Sequence, residues 1–253
     1  MSILFLIIIF SLIGSFGAMI GGVFMLWKDK FISRISSYLV SFAGGVMLSV
    51  SLLDLFPEAL ELTNNVKMIF YIATAAILFL FLIERLIWWY NHHRDDNTHH
   101  RDEITKKLTS RNIYSILIGD GVHNFIDGIL IAVAFLTDPA LGITVSIGVI
   151  AHEIPQEIAD FGLMMRMGIK KSKVFIYNAF AAITTVIGAI LTYNFVDVLE
   201  GSMYFAISFA AGVFLYISLS SLMPEIHHQS EHKGNFIFHF AIFILGITLI
   251  VLT

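Results

Sequence analysis

The sequence predicts an all-α integral membrane protein whose helices cross the bilayer several times. Of its 253 residues, 57% are hydrophobic and only 13% are charged, whereas about a quarter of the residues in a soluble domain are charged. The apolar residues form continuous blocks of about 20, the length that a helix needs to cross the hydrocarbon core of a bilayer. A β-barrel would instead show segments of about ten residues with alternating polarity. The pattern therefore favours a bundle of transmembrane helices.

Eight such blocks follow one another in a single transmembrane domain that covers residues 1–253. We predict spans at residues 2–26, 33–60, 66–90, 112–136, 140–165, 171–195, 202–226 and 234–253. The first block lacks a preceding basic segment and an obvious small-residue cleavage site, so we interpret it as a span and not as a removable signal peptide. Three of these spans precede spans 4 and 5, and three follow them.

The second and seventh spans share a repeated sequence. Residues 41–58 align without gaps to residues 208–225, and eleven of the 18 positions are identical, including the final Pro-Glu pair. Because these spans lie five crossings apart, they must run in opposite directions through the membrane. Inverted repeats are typical of secondary transporters, which bind their substrate near the midplane between the repeats. Chance similarity of helices rich in small residues and leucine is the alternative, and the shared Pro-Glu pair argues against it.

The basic residues lie almost entirely on one side of the predicted bundle. Of the 15 Lys and Arg residues, 14 fall in or beside the odd-numbered connections, and Lys67 is the exception. Since Lys and Arg are enriched in cytoplasmic loops, these connections are predicted inside and both termini outside. Residues 91–110 form one of these cytoplasmic connections and carry four histidines, at His92, His93, His99 and His100. We interpret this segment as a solvated linker, with metal capture or sensing as the alternative.

Two polar clusters occur halfway along the fourth and fifth spans. They read His-Asn-Phe-Ile-Asp-Gly over residues 123–128 and His-Glu-Ile-Pro-Gln-Glu over residues 152–157. An ionisable side chain at the bilayer centre costs roughly 2.5–3.5 kcal/mol or more, and such residues are usually functional. The chain has no cysteine, so thiolate metal sites are excluded, whereas imidazole and carboxylate together suit Zn²⁺, Fe²⁺ or Mn²⁺.

The spacing within the clusters predicts two neighbouring metal pockets. Residues four apart share one face of a helix, so His123 points the same way as Asp127, and His152 the same way as Gln156. One pocket would be lined by His123, Asp127, His152 and Gln156, and the other by Asn124, Glu153 and a shared Asp127. The alternative is that these groups only hydrogen-bond neighbouring helices. In that case the buried carboxylates would need protons or a basic partner.

Six further residues could line a pathway to these pockets: Asp54, Glu58, Asp120, Glu225, His227 and His228. Asp54 and Asp120 lie deeper in their spans than the others. Glu58 and Glu225 occupy opposite ends of the repeat, as entrance and exit ligands or as ordinary interface carboxylates. His227 and His228 would either receive departing metal or be solvated.

These motifs resemble the ZIP family of zinc- and iron-type divalent metal transporters. The His-Asn-x-x-Asp-Gly cluster matches the fourth-span pattern of that family. The second cluster resembles the His-Glu-x-Pro-His-Glu motif of one large subfamily, with Gln156 in place of the second His. The resemblance implies a three-two-three helix arrangement around a binuclear site, with His123, Asp127 and His152 at the primary position. It also implies that Asn124 and Glu153 belong to the second position and that Gln156 is a weaker donor at a ligand position.

We therefore expect a secondary transporter that moves divalent metal ions into the cytoplasm by alternating access. Zn²⁺ is the expected substrate, with Fe²⁺ and Mn²⁺ as alternatives, and no other cofactor is expected. Its expected partners are metal ions and the lipid bilayer of the cell membrane; a homodimer is left open, and no nucleic acid is expected. The competing hypotheses are an intramembrane metal-dependent hydrolase, since His-Glu-x-x-His is a zinc protease pattern, and a metal-sensing receptor. The inverted repeat favours transport, because neither catalysis nor sensing needs it.

Overall fold

The computed structural model describes residues 2–25, 29–92, 101–195, 201–233 and 236–252, and within these ranges the chain forms eight continuous helical segments. In chain order they are α1 (Ile3–Leu12 and Ala18–Met25), α2 (Asp29–Ser49 and Phe56–Leu62), α3 (Val66–His92), α4 (Arg101–Thr137), α5 (Pro139–Arg166), α6 (Lys171–Asn194), α7 (Met203–Tyr216 and Met223–Lys233) and α8 (Phe236–Val251). The all-helical prediction is confirmed for this part of the chain. The predicted histidine segment 91–110 lies largely outside it: residues 93–100 are not described, and α4 already begins at Arg101.

Six of these helices are long and apolar enough to cross a membrane, and α8 is a shorter apolar helix of 16 residues. Helix α5 has 28 residues, but the polar residues of the second cluster lower its hydropathy, so it is not among the six. The several apolar helices confirm a multi-pass membrane protein. Eight crossings remain a prediction. Helix α5 is long enough but less apolar than the other six, and α8 is apolar but shorter.

The helices pack as two groups of four. Helices α1, α4, α5 and α6 contact one another in the first group, in which α4 and α6 make the most extensive contact. Helices α2, α3, α7 and α8 form the second group. Contact between the groups is asymmetric, because α2 packs closely along α5 whereas α7 contacts α4 much less. The space between α4 and α7 is where a cavity can form.

The sequence repeat appears in the backbone as two matching π-helical turns. They span Val50–Leu55 in α2 and Ile217–Leu222 in α7, which are equivalent positions of the repeat. Pro57 and Pro224 follow the two turns at the same distance. Proline has no N–H to bond the carbonyl four residues before it, and a wider turn at that point accommodates the interruption.

The two repeated helices are held together by reciprocal hydrogen bonds. The Ser51 hydroxyl donates to the carbonyl of Ala211 at 2.8 Å, and the Ser218 hydroxyl donates to the carbonyl of Gly44 at 2.9 Å. Ser51 and Ser218 are equivalent in the repeat, as are Gly44 and Ala211, so the crossing has local two-fold symmetry. The pairing also shows that α2 and α7 are antiparallel here, because higher numbers in one helix meet lower numbers in the other.

The two helices that carry the polar clusters form a tight hairpin. Asp138 is the only residue between α4 and α5, and its carboxylate caps α5 by accepting from the backbone N–H groups of Ala140 at 2.8 Å and Leu141 at 3.1 Å. Pro139 occupies the first helical position, where its missing N–H costs nothing. The short turn makes α4 and α5 antiparallel neighbours and brings the midpoints of the two helices together.

Close packing of α4 on α6 depends on Gly128, because a Cβ there would lie on the carbonyl oxygen of Thr185. We predict that Gly128→Ala lowers the thermal stability of the purified protein, since overpacking typically costs about 1–3 kcal/mol. Gly121→Ala in the same helix is the matched control, because its Cβ would meet nothing nearer than the Thr184 methyl at 3.9 Å. Thermal unfolding in detergent measures both, and equal melting temperatures would contradict this account of the α4–α6 contact.

Candidate metal centre

Two histidines from the paired helices meet at the centre of the hairpin. His123 of α4 and His152 of α5 place their Nε2 atoms 3.0 Å apart. Asp127 Oδ2 lies 3.2 Å from the Nε2 of His152 and 3.7 Å from that of His123. Glu153 Oε1 lies 3.5 Å and 3.8 Å from His123 and His152, respectively. One ligand atom from each of the four side chains falls within 4.8 Å of the other three.

These spacings fit a tetrahedral metal ion. Zinc bonds of about 2.0–2.2 Å at the tetrahedral angle separate neighbouring ligand atoms by roughly 3.3–3.6 Å. The five separations that involve a histidine, 3.0–3.8 Å in the structure, bracket that range. Two imidazoles and two carboxylates are also a donor set that suits Zn²⁺ and neighbouring divalent metals. The four side chains could therefore hold one such ion with little rearrangement.

The His152 ring is oriented for metal binding by its own helix. Its Nδ1 atom lies 2.9 Å from the carbonyl oxygen of Gly148, and a carbonyl can only accept, so Nδ1 carries the proton. The lone pair is then on Nε2, which faces the other three side chains of the group. Such a hydrogen bond on the far ring nitrogen is common for metal-bound histidine. Phe214 of α7 packs edge-on against the ring at 6.4 Å between centroids.

The charges of the site favour a bound cation. Asp127 and Glu153 are each 1% exposed, and no oxygen of either carboxylate has a hydrogen-bond partner in the described part of the protein. The ion pairs that these carboxylates make with described side chains involve only the two histidines. Burying two uncompensated carboxylates is costly, and a bound divalent ion would neutralise them.

The amide side chains of the clusters turn towards Asp120 instead. Asn124 donates from Nδ2 to Asp120 Oδ1 at 2.9 Å, and its own Oδ1 accepts from the Thr185 hydroxyl of α6 at 2.8 Å. Gln156 donates to the same Asp120 oxygen at 3.4 Å. The structure thus brings Glu153 into the histidine group and directs Gln156 to Asp120, whereas the helical spacing predicted Gln156 with the histidines and Glu153 in a second pocket with Asn124.

A cavity of about 490 Å³ lies beside the histidine group, between α4 and α7. His123, His152 and Gln156 form its inner wall, and Glu225 and Ser221 of α7 line it further along. Its walls come from the halves of α4 and α5 nearest the basic connections. His123 is the most accessible of these four side chains, with 22% of its side chain exposed. An ion held by His123 and His152 would therefore have a route towards the basic end of the bundle.

The six candidate pathway residues lie towards both ends of the helix bundle. Asp54 and Glu58 are partly buried in the half of α2 that follows Ser49, away from the cavity, and one Asp54 oxygen is buried without a described partner. Glu225 is exposed on the cavity wall. His227 and His228 are exposed in the next turn of α7 and do not line the cavity. Of the six candidates, only Asp120 and Glu225 lie next to the site or its cavity.

Two cavity residues were missed at the sequence level. Glu84 of α3 lines the cavity and accepts a 2.5 Å hydrogen bond from the Tyr216 hydroxyl of α7. A carboxylate within the apolar span predicted at residues 66–90 was the signal that could have identified Glu84.

Comparison with known proteins yields one family and several relatives. The family described as ZIP Zinc transporter matches residues 1–112 and 90–253, which together cover the chain. The chain is 33% identical over 140 residues to the zinc transporter foi of Drosophila melanogaster, and 28% over 142 residues to the zinc transporter ZIP6 of Homo sapiens. It is 32% identical over 140 residues to the metal cation symporter ZIP14 of Pongo abelii. These alignments cover 53–55% of this chain but only 20%, 19% and 28% of the three relatives.

Removing one imidazole should weaken metal binding strongly. We predict that His152→Ala lowers Zn²⁺ affinity by well over about tenfold, since loss of even an outer-shell partner usually costs 10–100-fold. His228→Ala removes the same ring from an exposed position outside the cavity and should leave the affinity unchanged. Calorimetric titration of the purified proteins measures both. An affinity of His152→Ala within a few-fold of the unmodified protein would exclude His152 as a ligand.

Proposed function

The chain belongs to the ZIP zinc transporter family, and from this premise we propose that it moves divalent metal ions across the membrane into the cytoplasm. Zn²⁺ is the expected substrate, and Fe²⁺ and Mn²⁺ are the alternatives that the same donors allow. The observation that carries the proposal is the buried group of His123, Asp127, His152 and Glu153, whose ligand atoms converge beside a cavity. A site that is both buried in the bundle and reached by a cavity suits an ion in transit.

The proposed topology has eight spans in a three-two-three arrangement. Spans 1–3 and 6–8 are inverted repeats, and α4 and α5 lie between them. The reciprocal bonds of Ser51 and Ser218 support this relation, and so do the matching π-helical turns. Inverted repeats provide two equivalent conformations that open a central site to opposite sides.

The proposed transport cycle is alternating access by movement of one helix group against the other. Contact of α2 with α5, together with the gap between α4 and α7, supports a conformation that is open at one end. By the repeat symmetry, the opposite conformation would bring α7 onto α4 and separate α2 from α5. The metal site lies on the first group, so this exchange would move its opening from one end to the other.

The direction of opening follows from the distribution of basic residues. The cavity is formed by the halves of α4, α5 and α7 that adjoin the odd-numbered connections, and Lys170, Lys171 and Lys173 lie in one of these. Under the positive-inside rule, both termini are outside and the cavity opens to the cytoplasm. We propose the cell membrane as the location. The exposed apolar side chains of α3 and α8 suit lipid contact, and a homodimer is an alternative to the monomer.

Two ion positions are proposed, in keeping with the binuclear site of the family resemblance. The histidine group supplies the first. The second lies near Asn124 and Glu153, with Asp127 shared between the two. An enzyme is the less favoured reading, because the His-Glu-x-x-His protease pattern has Gln156 at its second His, and Gln156 donates to Asp120. No P-loop sequence is present, which favours transport driven by gradients.

The decisive test is uptake by the purified protein in liposomes. We predict that the unmodified chain moves Zn²⁺ down its gradient, and that His123→Ala and His152→Ala each abolish the flux because each removes one of four ligands. Size-exclusion profiles establish that the variants remain folded. Near-normal flux in either site variant would contradict the assignment of that histidine to the primary metal position. Hydrolysis of peptide or lipid without metal flux would contradict transport and would support a metal-dependent hydrolase.

Acidification should weaken metal binding at the histidine group. Histidine binds metal only as the neutral ring, so protons compete with the ion. We predict that Zn²⁺ affinity falls as the pH decreases from about 8 to about 5, and that proton uptake therefore assists release. Titrations across this range measure the effect. An affinity that does not change with pH would contradict a histidine-based site and any coupling of release to protonation.

A further inference from the structure

Helix α6 reaches the polar side chains of the clusters through a hydroxyl group. Thr185 is 1% exposed, and its Oγ1 lies 2.8 Å from Oδ1 of Asn124, the residue that follows His123 in α4. Between residues 174 and 194, α6 contains no Asp, Glu, His, Lys or Arg. This part of α6 therefore brings no charge to the metal centre, and its influence on Asn124 is exerted by a neutral hydrogen bond.

The hydrogen bonds of Asn124 fix the orientation of its carboxamide. Nδ2 lies 3.2 Å from the backbone carbonyl of Asp120 and 2.9 Å from Oδ1 of the Asp120 carboxylate. A backbone carbonyl can only accept, and the nitrogen is the donor of the amide, so Oδ1 of Asn124 is the atom turned to Thr185. The hydroxyl of Thr185 donates to this oxygen and occupies one of its two lone pairs. The second lone pair is left for another partner.

The backbones of α4 and α6 hold this hydroxyl in place. A Cβ at Gly128 would lie on the carbonyl oxygen of Thr185, and a Cβ at Gly188 would lie on the carbonyl oxygen of Phe125. Glycine on both helices thus allows the backbones to approach closely on each side of the hydrogen bond. The position of the hydroxyl relative to Asn124 is therefore set by the packing of two helices and not by a loop.

The neighbouring Thr184 provides an internal comparison. Its Oγ1 lies 2.7 Å from the carbonyl of Gly121 in α4 and 2.6 Å from the carbonyl of Ala181 in its own helix. Both partners are backbone atoms, so this hydroxyl links α6 to α4 without contacting an amide side chain. Thr185 makes a hydrogen bond of nearly the same length to a side chain instead. The two threonines therefore separate the linkage of the helices from the orientation of Asn124.

We propose that Thr185 is a positioning residue that holds the Asn124 oxygen in the orientation used by the second ion. The proposal rests on the proposed function, in which Asn124 lines that ion position. Thr185 binds no ion itself and acts through Asn124. Without its hydroxyl, Oδ1 of Asn124 would lie buried and unpaired, which is costly, and the carboxamide would turn to another partner. Hydrogen bonds of this kind orient metal ligands, and their loss lowers metal affinity by roughly 10–100-fold.

Titration of the purified, full-length protein with Zn²⁺ tests the proposal and does not depend on transport. We expect Thr185→Val, which removes the hydroxyl and keeps nearly the same shape, to weaken binding of the second ion by roughly 10–100-fold. Thr185→Ser keeps a hydroxyl and should restore the affinity. Thr184→Val is the matched control, because it removes a hydroxyl that bonds backbone carbonyls, and it should bind both ions as the unmodified protein does.

A double variant shows whether the effect passes through Asn124. Asn124→Ala should abolish one binding event and thereby identify the second ion. Adding Thr185→Val to Asn124→Ala should then change nothing further, because the oxygen that Thr185 orients is already absent. A further loss of affinity in the double variant would overturn the proposal, since Thr185 would then act by another route.

The remaining outcomes separate this inference from the proposed function. Unchanged affinity in Thr185→Val would overturn the role of Thr185, and so would an equal loss in Thr184→Val, which would indicate helix linkage alone. A single Zn²⁺ ion bound by the unmodified protein would overturn it as well. If Thr185→Val does not fold, Thr185→Ala provides the same comparison. Absence of flux in liposomes together with the expected binding results would overturn transport and leave the role of Thr185 in metal binding standing.

Discussion

The interaction on which the structure depends is the meeting of two carboxylates with two histidines inside an apolar bundle. Asp127 and Glu153 are almost fully buried, and only imidazoles form ion pairs with them among the described residues. An apolar core can hold such a group only if its positions are fixed well enough for an ion to replace the lost water. The one-residue turn at Asp138, the close contact at Gly128 and the bond from His152 to Gly148 all limit movement of the ligands.

The second group of helices serves a different purpose. Its central crossing is symmetric, since Ser51 and Ser218 make equivalent bonds across equivalent π-helical turns. Hydroxyl groups bonded to backbone carbonyls hold helices together without requiring charge, which suits an apolar environment. The symmetric crossing lies outside the helix group that bears the metal ligands. The contact between the groups is asymmetric, by contrast, because α2 packs on α5 whereas α7 stands away from α4.

Much of the fold was predictable from the sequence, whereas the features that were not predicted depend on contacts between helices. Helix number and position follow from long apolar blocks, and the repeat follows from identical residues. Spacing predicted that His123 and Asp127 share a helix face, and their Nε2 and Oδ2 atoms lie 3.7 Å apart, because the relation lies within one helix. Spacing alone does not predict the surroundings of Glu153 and Gln156, because these depend on how α5 is rotated and shifted against α4. A rotation of one residue, about 100°, exchanges the two positions. Likewise, the Tyr216–Glu84 bond joins distant segments, and no local pattern predicts it.

The two clusters also match each other position by position. His123, Asn124 and Asp127 correspond in spacing to His152, Glu153 and Gln156, so each helix contributes one imidazole, one carboxylate and one carboxamide. The carboxylate comes fourth after the histidine in α4 but directly after it in α5. As a result the histidine group carries two negative charges, which balance one divalent ion.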